Sequence, residues 1–236
     1  MITAKNTLKS TVKIAPPRDF TTLKQRIDEL LGRSIGEIAG QLSLSVPATT
    51  LKGKGFTGEL MEICLGASSQ SAPEPDFPQL ELELKTMPVD VNFTPLESTF
   101  IAYAPVWGTI GHRFEDSYLY RKIQRILWVF IYAPRQLPLS SRVVAGYYFW
   151  SPPAEILSQI RRDFEEIYEL INSGRIEEIT AELGEIIQLR PKAANGKALT
   201  QAIGPDGDVI MTRPRGFYLR RNFTKKLVDK FRQQGV

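Results

Sequence analysis

The 236-residue chain contains a single cysteine and a single histidine. With Cys64 alone, neither an internal disulfide nor a zinc site built from several cysteines can form, and the scarcity suits a reducing compartment. His112 alone cannot form a histidine cluster around a metal or a two-histidine nuclease motif. No G-x-S-x-G sequence accompanies it, so a serine-hydrolase triad is not indicated. We interpret His112 as a loop residue after Gly111.

Long apolar runs are missing as well. The N-terminal MITAKNTLKS has no apolar core typical of a secretory signal. The longest apolar stretch, ILWVFIYAP at 126–134, has the length of a buried strand, far below the roughly 20 residues that span a membrane. We therefore expect a soluble, cytoplasmic protein. Its 30 Lys and Arg against 26 Asp and Glu give a net charge of +4, a mild indication of a polyanionic partner.

Helices and strands alternate along the sequence. Periodic apolar residues predict helices at about 21–31 (capped by Asp19), 34–42, 58–67, 116–125, 153–183 with a break at 172–174, and a last helix to about 233. Strands are predicted at 79–86, 99–105, 126–132, 142–150, 185–190 and 208–212. A glycine-rich basic loop is expected at 51–57 and an irregular loop at 67–78. This mixture predicts an α/β or α+β fold.

The stretch DFPQLELELK, from Asp76 to Lys85, alternates leucines with charged residues. We expect the leucines on the buried face of a half-buried strand, with Glu81, Glu83 and Lys85 on the other face. Glu83 and Lys85 would then lie about 6.5–7 Å apart along the strand. Asp76 stands between Pro75 and Phe77-Pro78, a stiffened corner that can turn its carboxylate toward the same face.

These groups suit magnesium-dependent phosphodiester cleavage. Two carboxylates, Asp76 and Glu83, with the Leu84 backbone carbonyl, would offer hard oxygen ligands. Lys85 would hold the attacking water or neutralise charge on the phosphate. A further carboxylate, Glu62, lies on the outer face of the helix before the loop. By themselves these residues also fit a plainer interpretation, in which E-x-K is the solvated face of an ordinary strand and Glu62 an exposed helix residue.

Several separate segments resemble one family, the DNA mismatch repair endonuclease MutH. They occur in order from about residue 51 to 224 and are GKGFTGELMEICLGA, SAPEPDFPQLELELKT, PLESTF, RKIQRILW, WSP, RPKAAN and RGFYLRRNF. The resemblance implies a restriction-endonuclease-like fold, a mixed central sheet flanked by helices. It further implies one domain, 1–236, with two lobes around a DNA-binding cleft. The metal site would lie in the N-terminal half and the DNA-reading elements in the C-terminal half.

The resemblance also implies an activity: nicking of the unmethylated strand 5′ to GATC in hemimethylated DNA during mismatch repair. Such an enzyme would need Mg²⁺, act as a monomer and be activated by the mismatch repair protein MutL. Asp76 and Glu83 would bind the metal, Glu62 would support the site, and Lys85 would act on the nucleophilic water. Lys122 matches a basic residue placed near the scissile phosphate.

Recognition would come from residues farther along the chain. Arg190, Pro191 and Lys192 match the loop that reads the GATC major groove, and arginine is the usual reader of guanine. Tyr218 matches the residue that senses adenine methylation, and Phe100 an aromatic that wedges into the duplex. Each has a plainer alternative: the two basic side chains as phosphate contacts, and the two aromatic rings as core residues.

Glu81 departs from the family pattern, which needs no acid there. On the predicted strand it would share a face with Glu83, where it would compete for metal or face solvent. Two other functions stay open from the residues alone: a DNA-binding module without catalysis, and a restriction enzyme that cuts both strands.

Overall fold

The computed structural model describes residues 14–48, 53, 55–69, 74–193 and 197–233, so parts of the loops expected at 51–57 and 67–78 lie outside it. The helices are α1 Phe20–Asp28, α2 Ile35–Gln41, α3 Phe56–Leu65, α4 Tyr118–Ile123, α5 Ala154–Asn172 and α6 Arg221–Gln233. The strands are β1 Glu83–Val89, β2 Thr99–Ala104, β3 Ile126–Tyr132, β4 Val143–Trp150, β5 Ile187–Pro191, β6 Thr200–Ile203, β7 Val209–Thr212 and β8 Arg215–Leu219. This mixture of helices and strands confirms the predicted fold class.

The chain divides into two compact units, each assembled from separate segments. The described residues of 14–97, 125–150 and 225–233 form the first unit, and those of 98–124 and 151–224 form the second. The arrangement as one domain with two lobes stays a prediction. In the described part of the chain, no helix is long and apolar enough to cross a membrane.

The first unit is built on a mixed sheet in the order β1-β3-β4. β1 runs parallel to β3, which places Glu83 beside Ile126 and Lys85 beside Trp128, whereas β3 and β4 are antiparallel. Residues Ile126 to Ile131 are all buried, as expected for a central strand covered on both faces. The predicted mixed sheet is therefore confirmed, and it carries the candidate metal-binding strand beside its most buried strand.

Helices cover this sheet. α1 begins as predicted at Asp19, whose side chain accepts a hydrogen bond from the Thr22 N–H over 2.7 Å. α3 contacts β1 and ends at Gly66, whose φ is +78°. A Cβ there would lie 2.5 Å from the Ala15 carbonyl oxygen, so both the turn and the close approach require glycine. α6 buries Phe231 against Phe130 of β3, with ring centroids 4.8 Å apart.

The second unit contains an antiparallel sheet in the order β2-β8-β5 and a β6-β7 hairpin. Aromatic rings of α5 pack on the sheet: Phe164 lies 5.6 Å and Tyr168 6.1 Å from Phe217 between ring centroids. The helix ends at Asn172, where the sequence predicted a break, and a single 3-10 turn at Ile176–Glu178 replaces the helix expected to continue to 183. Two strands, β6 and β8, were not predicted.

Candidate functional site

Asp76 lies in a closed corner immediately before β1. The Phe77 N–H donates to the Leu82 carbonyl over 2.9 Å, and the Leu82 N–H returns a bond to the Phe77 carbonyl over 3.3 Å. The Asp76 carboxylate is buried, and its Oδ2 accepts a hydrogen bond from the Leu84 N–H over 2.9 Å. The corner thus brings this loop carboxylate to the start of the strand, as the sequence analysis expected.

Glu83 and Lys85 form an ion pair on β1. Glu83 is 1% exposed, and its backbone N–H donates to the Arg125 carbonyl over 3.0 Å. Burial alone lowers the pKa of Lys85, but the charges of Glu83 and Asp76, the hydrogen bond with Glu83 and the charge of Glu62 together raise it above its usual value. Lys85 is therefore an ammonium ion at neutral pH, positioned as a fixed positive charge.

The pKa of Lys85 is thus raised by three carboxylates, those of Glu83, Asp76 and Glu62. Glu62 projects from the half-buried side of α3, the helix that contacts β1. Oxygen donors with excess negative charge fit Mg²⁺ by chemistry. The described residues nevertheless contain no three His, Cys, Asp or Glu side chains already gathered around one point. An ion here would need additional oxygens, such as the Leu84 carbonyl or water.

Glu81 does not share a face with Glu83, so that prediction was wrong. Pro78–Leu80 form a 3-10 turn, Glu81 caps it with φ +49°, and β1 begins only at Glu83. The backbone leaves the strand direction because the Phe77–Leu82 bridge closes the corner. Glu81 is exposed to solvent.

The predicted alternation of buried leucines and exposed charges also fails at the strand. Glu83 and Leu84 are neighbours in β1, and both are buried. Burial of a carboxylate is costly unless it is paired, and here Lys85 provides the partner. The charged face of β1 is therefore covered, which contradicts its interpretation as an ordinary solvated face.

In the second unit, one face of the β2-β8-β5 sheet carries aromatic and basic side chains together. Phe100 pairs directly with Tyr218, and their rings meet edge to face at 5.4 Å. The Arg190 guanidinium lies 5.5 Å from the Tyr218 ring, and the Lys192 ammonium 4.4 Å from the Phe100 ring. Both rings are half-buried and Arg190 is exposed. We call Phe100, Arg190, Lys192 and Tyr218 the aromatic–basic face.

The 190–192 segment is only partly a loop. Arg190 and Pro191 end strand β5, and Lys192 follows it, with its N–H donating to the Pro214 carbonyl over 2.7 Å. Because a strand holds Arg190, its side chain starts from a fixed backbone rather than from a mobile segment. Lys122 lies half-buried on α4 of the same unit. Its place near a scissile phosphate stays a prediction.

Two residues of this face were missed by the sequence analysis. Gly216 stands opposite Arg190, and a Cβ there would lie 2.7 Å from the Phe100 ring, so glycine makes room for that ring. A β-bulge between Phe100 and Ala102 brings Tyr103 beside Phe100, with ring centroids 5.2 Å apart and Tyr103 38% exposed. The sequence gives no sign of the bulge, although Gly216 does stand among basic and aromatic residues.

A third residue missed from sequence is Asp163 on α5. Its buried carboxylate accepts hydrogen bonds from three consecutive backbone N–H groups at the entry to β5: Glu185 at 3.0 Å, Ile186 at 2.7 Å and Ile187 at 3.0 Å. Three charge-assisted bonds fix where this strand begins. Asp163 thereby supports the strand that presents Arg190.

Comparisons with known proteins agree on one family. The family model for the DNA mismatch repair enzyme MutH matches residues 65–163. The DNA mismatch repair protein MutH of Klebsiella pneumoniae strain 342 is 46% identical over 216 residues, covering 92% of this chain and 94% of that protein. The MutH proteins of Yersinia enterocolitica serotype O:8 and Escherichia coli O6:K15:H31 are 47% and 46% identical, each over 92% of this chain and 95% of the relative.

Proposed function

The chain belongs to the MutH family of DNA mismatch repair enzymes, and on that basis we propose that it is a strand-specific DNA endonuclease. It would nick the unmethylated strand 5′ to GATC in hemimethylated DNA. The observation that carries this proposal is the buried cluster of Asp76, Glu83 and Lys85 at the start of β1. A protein that only bound DNA would gain nothing from burying these charges, since each costs solvation energy.

Asp76 and Glu83, with the Leu84 carbonyl and support from Glu62, would hold Mg²⁺. When bound, the ion would supply a Lewis acid that lowers the pKa of water and offsets charge on the phosphate. Lys85 carries its own positive charge, which the surrounding carboxylates stabilise. Its ammonium group would donate to the attacking water or to a phosphate oxygen, and so stabilise negative charge that grows in the transition state.

The aromatic–basic face would select the site at which the DNA is nicked. Arg190 offers the planar guanidinium that binds guanine O6 and N7 with two hydrogen bonds. Tyr218 would sense the adenine methyl group, and Phe100 would wedge into the duplex. Pro191 and Lys192 would complete the contact at the end of β5, and Lys122 would lie near the scissile phosphate. The half-buried rings and the exposed Arg190 favour this assignment over a purely structural role.

The family membership also underlies three proposals about the setting. We propose that the protein acts in the cytoplasm as a monomer, which would explain a nick in one strand rather than a double-strand break. We propose further that MutL activates it. A restriction-type enzyme would instead need two active sites in a dimer.

A plasmid nicking assay tests the proposal. Unmethylated, hemimethylated and fully methylated GATC plasmids would be incubated with Mg²⁺, with and without MutL, and with EDTA as the metal-free control. We expect nicked circles from the first two substrates and none from the third or with EDTA. Linear product from single hemimethylated sites would favour a double-strand-cutting enzyme. DNA binding without any cleavage would favour the binding module.

A further inference from the structure

We propose that Ser98 is a positioning residue that sets the guanidinium plane of Arg190 for base reading. The Arg190 Nη1 donates a hydrogen bond to the Ser98 Oγ over 2.8 Å. Ser98 immediately precedes β2, whereas Arg190 belongs to β5. This inference rests on the proposed function, because it assumes that Arg190 reads DNA.

The contact reaches across the sheet. β8 lies between β2 and β5, so the backbones of the two outer strands stand about 10 Å apart, twice the usual strand spacing. Arg190 spans that gap by passing over the ring of Tyr218, from which its guanidinium lies 5.5 Å. Because a long exposed side chain would otherwise sample many rotamers, this extended course indicates that Ser98 and Tyr218 select one of them.

The two contacts restrain different motions of the guanidinium. The aromatic ring of Tyr218 restrains its face, and the Ser98 hydroxyl restrains its rotation by holding one edge through Nη1. Arginine has five N–H donors in a fixed fork, so one bond to Ser98 leaves four donors. A bidentate contact with guanine uses two of those. Ser98 can therefore stay bonded while Arg190 reads a base.

A group ordered before binding loses less freedom on binding, and its hydrogen bonds discriminate more sharply among bases. Loss of Ser98 would leave the charge of Arg190 in place, together with its attraction for phosphate. The resulting defect would therefore fall on sequence preference rather than on overall DNA affinity. That separation distinguishes a positioning role from a purely structural one.

The test compares three variants of the full chain: Ser98→Ala, Ser98→Thr, and Ser158→Ala as a control. Ser158 is an exposed serine on α5 of the same unit. Nicking rates would be measured on GATC duplexes and on duplexes with the guanine replaced, alongside the Kd for each. We expect Ser98→Ala to reduce the preference for GATC by about tenfold or more, as for the loss of one hydrogen bond to a charged group. Ser98→Thr keeps the hydroxyl and should retain the wild-type preference for GATC, as should Ser158→Ala.

A double-mutant cycle completes the test. In an Arg190→Ala background, Ser98→Ala should cause no further loss of preference, because the positioned group is already absent. An unchanged GATC preference in Ser98→Ala, with a wild-type enzyme that nicks GATC, would overturn this inference alone. Additive losses in the double variant would also overturn it. A wild-type protein that does not nick GATC would instead overturn the proposed function.

Discussion

The Leu84 backbone N–H donates to Oδ2 of Asp76 over 2.9 Å, so the loop carboxylate and the candidate metal-binding strand are joined by a buried hydrogen bond. Asp76 therefore has two roles, one structural and one electrostatic. One oxygen holds the corner of the chain against β1, and the carboxylate charge acts on Lys85. Substitutions can separate the two.

Asp76→Asn should remove the charge but keep an oxygen that accepts from the Leu84 N–H. We expect nicking to fall by about a hundredfold or more, with DNA binding retained. Asp76→Ala should lose activity and also about 1–3 kcal/mol of unfolding free energy, because a buried N–H is left without a partner. Urea unfolding and plasmid nicking measure the two effects, and equal stability of the two variants would contradict the structural role.

Glu83→Gln and Glu81→Gln form a matched pair two residues apart. The first removes a buried charge that pairs with Lys85 and should reduce Mg²⁺-dependent nicking by about a hundredfold or more. The second changes an exposed side chain in the left-handed corner and should leave nicking within about twofold of wild type, as for surface substitutions in general. A Mg²⁺ titration of nicking measures both. Loss of activity in Glu81→Gln would instead indicate that Glu81 takes part in the candidate metal site.

Arg190→Ala should relax sequence preference rather than abolish binding. Loss of a bidentate contact with guanine is worth about 1–3 kcal/mol of discrimination. Arg213→Ala, which removes an exposed arginine in the short connection between β7 and β8, is the charge-matched control. Kd values for GATC and altered duplexes at several salt concentrations separate the two effects. A uniform loss of affinity in Arg190→Ala would make Arg190 a phosphate contact.

Asp163→Ala should destabilise the second unit strongly. It leaves three backbone N–H groups at the entry to β5 without their acceptor, for an expected loss of about 3 kcal/mol or more. Glu166→Ala on the same helix changes an exposed carboxylate and should stay within about 0.5 kcal/mol of wild type. Chemical unfolding curves compare the two, and similar midpoints would contradict the role given to Asp163.

Burial raises the pKa of the Cys64 thiol to about 11, and the nearby charge of Arg33 offsets only part of this effect. Because the thiolate is the reactive form, alkylation by iodoacetamide should be slow at pH 8 and accelerate toward pH 11. The folded protein keeps the proton more tightly than the unfolded chain. Proton binding by Cys64 therefore contributes fully to the free energy of unfolding below the ordinary pKa of 9.0. This contribution is lost as the pH rises toward the folded-state pKa of about 11.

Alkylation of denatured protein gives the reference rate for an accessible thiol. Cys64→Ala provides the control for unfolding curves recorded between pH 8 and pH 10. A native thiol that reacts at pH 8 as fast as the denatured one would contradict the assigned burial. If the unfolding free energy of Cys64→Ala falls with pH as much as that of wild type, another group causes the pH dependence.

Local signals predicted much of the fold. Asp19 caps α1 as expected, and the apolar run of β3 forms a buried central strand. β8 escaped prediction because the buried Arg215 and Gly216 interrupt any apolar alternation, and its pairing with both β2 and β5 is a long-range property. The corner at Glu81 escaped because a left-handed residue other than glycine is uncommon.

The candidate site was predicted less evenly. The spacing of Asp76, Glu83 and Lys85 along one segment predicted that these side chains lie together, and the structure does bring them together. Ser98 and Asp163 act on residues 92 and 22–24 positions away, which no local pattern reveals. Tyr103 joins the aromatic–basic face only through a bulge, which changes the side that each following residue faces.

The cover that α6 gives to the first unit has a consequence for biosynthesis. Phe231 packs on Phe130, and Gly146 lies so close that an added Cβ would sit 3.1 Å from the Phe231 ring. Phe231 is synthesised about 100 residues after Phe130, which corresponds to a delay of roughly 5–20 seconds of translation. The sheet that carries Glu83 and Lys85 therefore cannot complete its core until α6 has been synthesised. Chains whose translation stops before α6 therefore lack this part of the core of the sheet that carries Glu83 and Lys85.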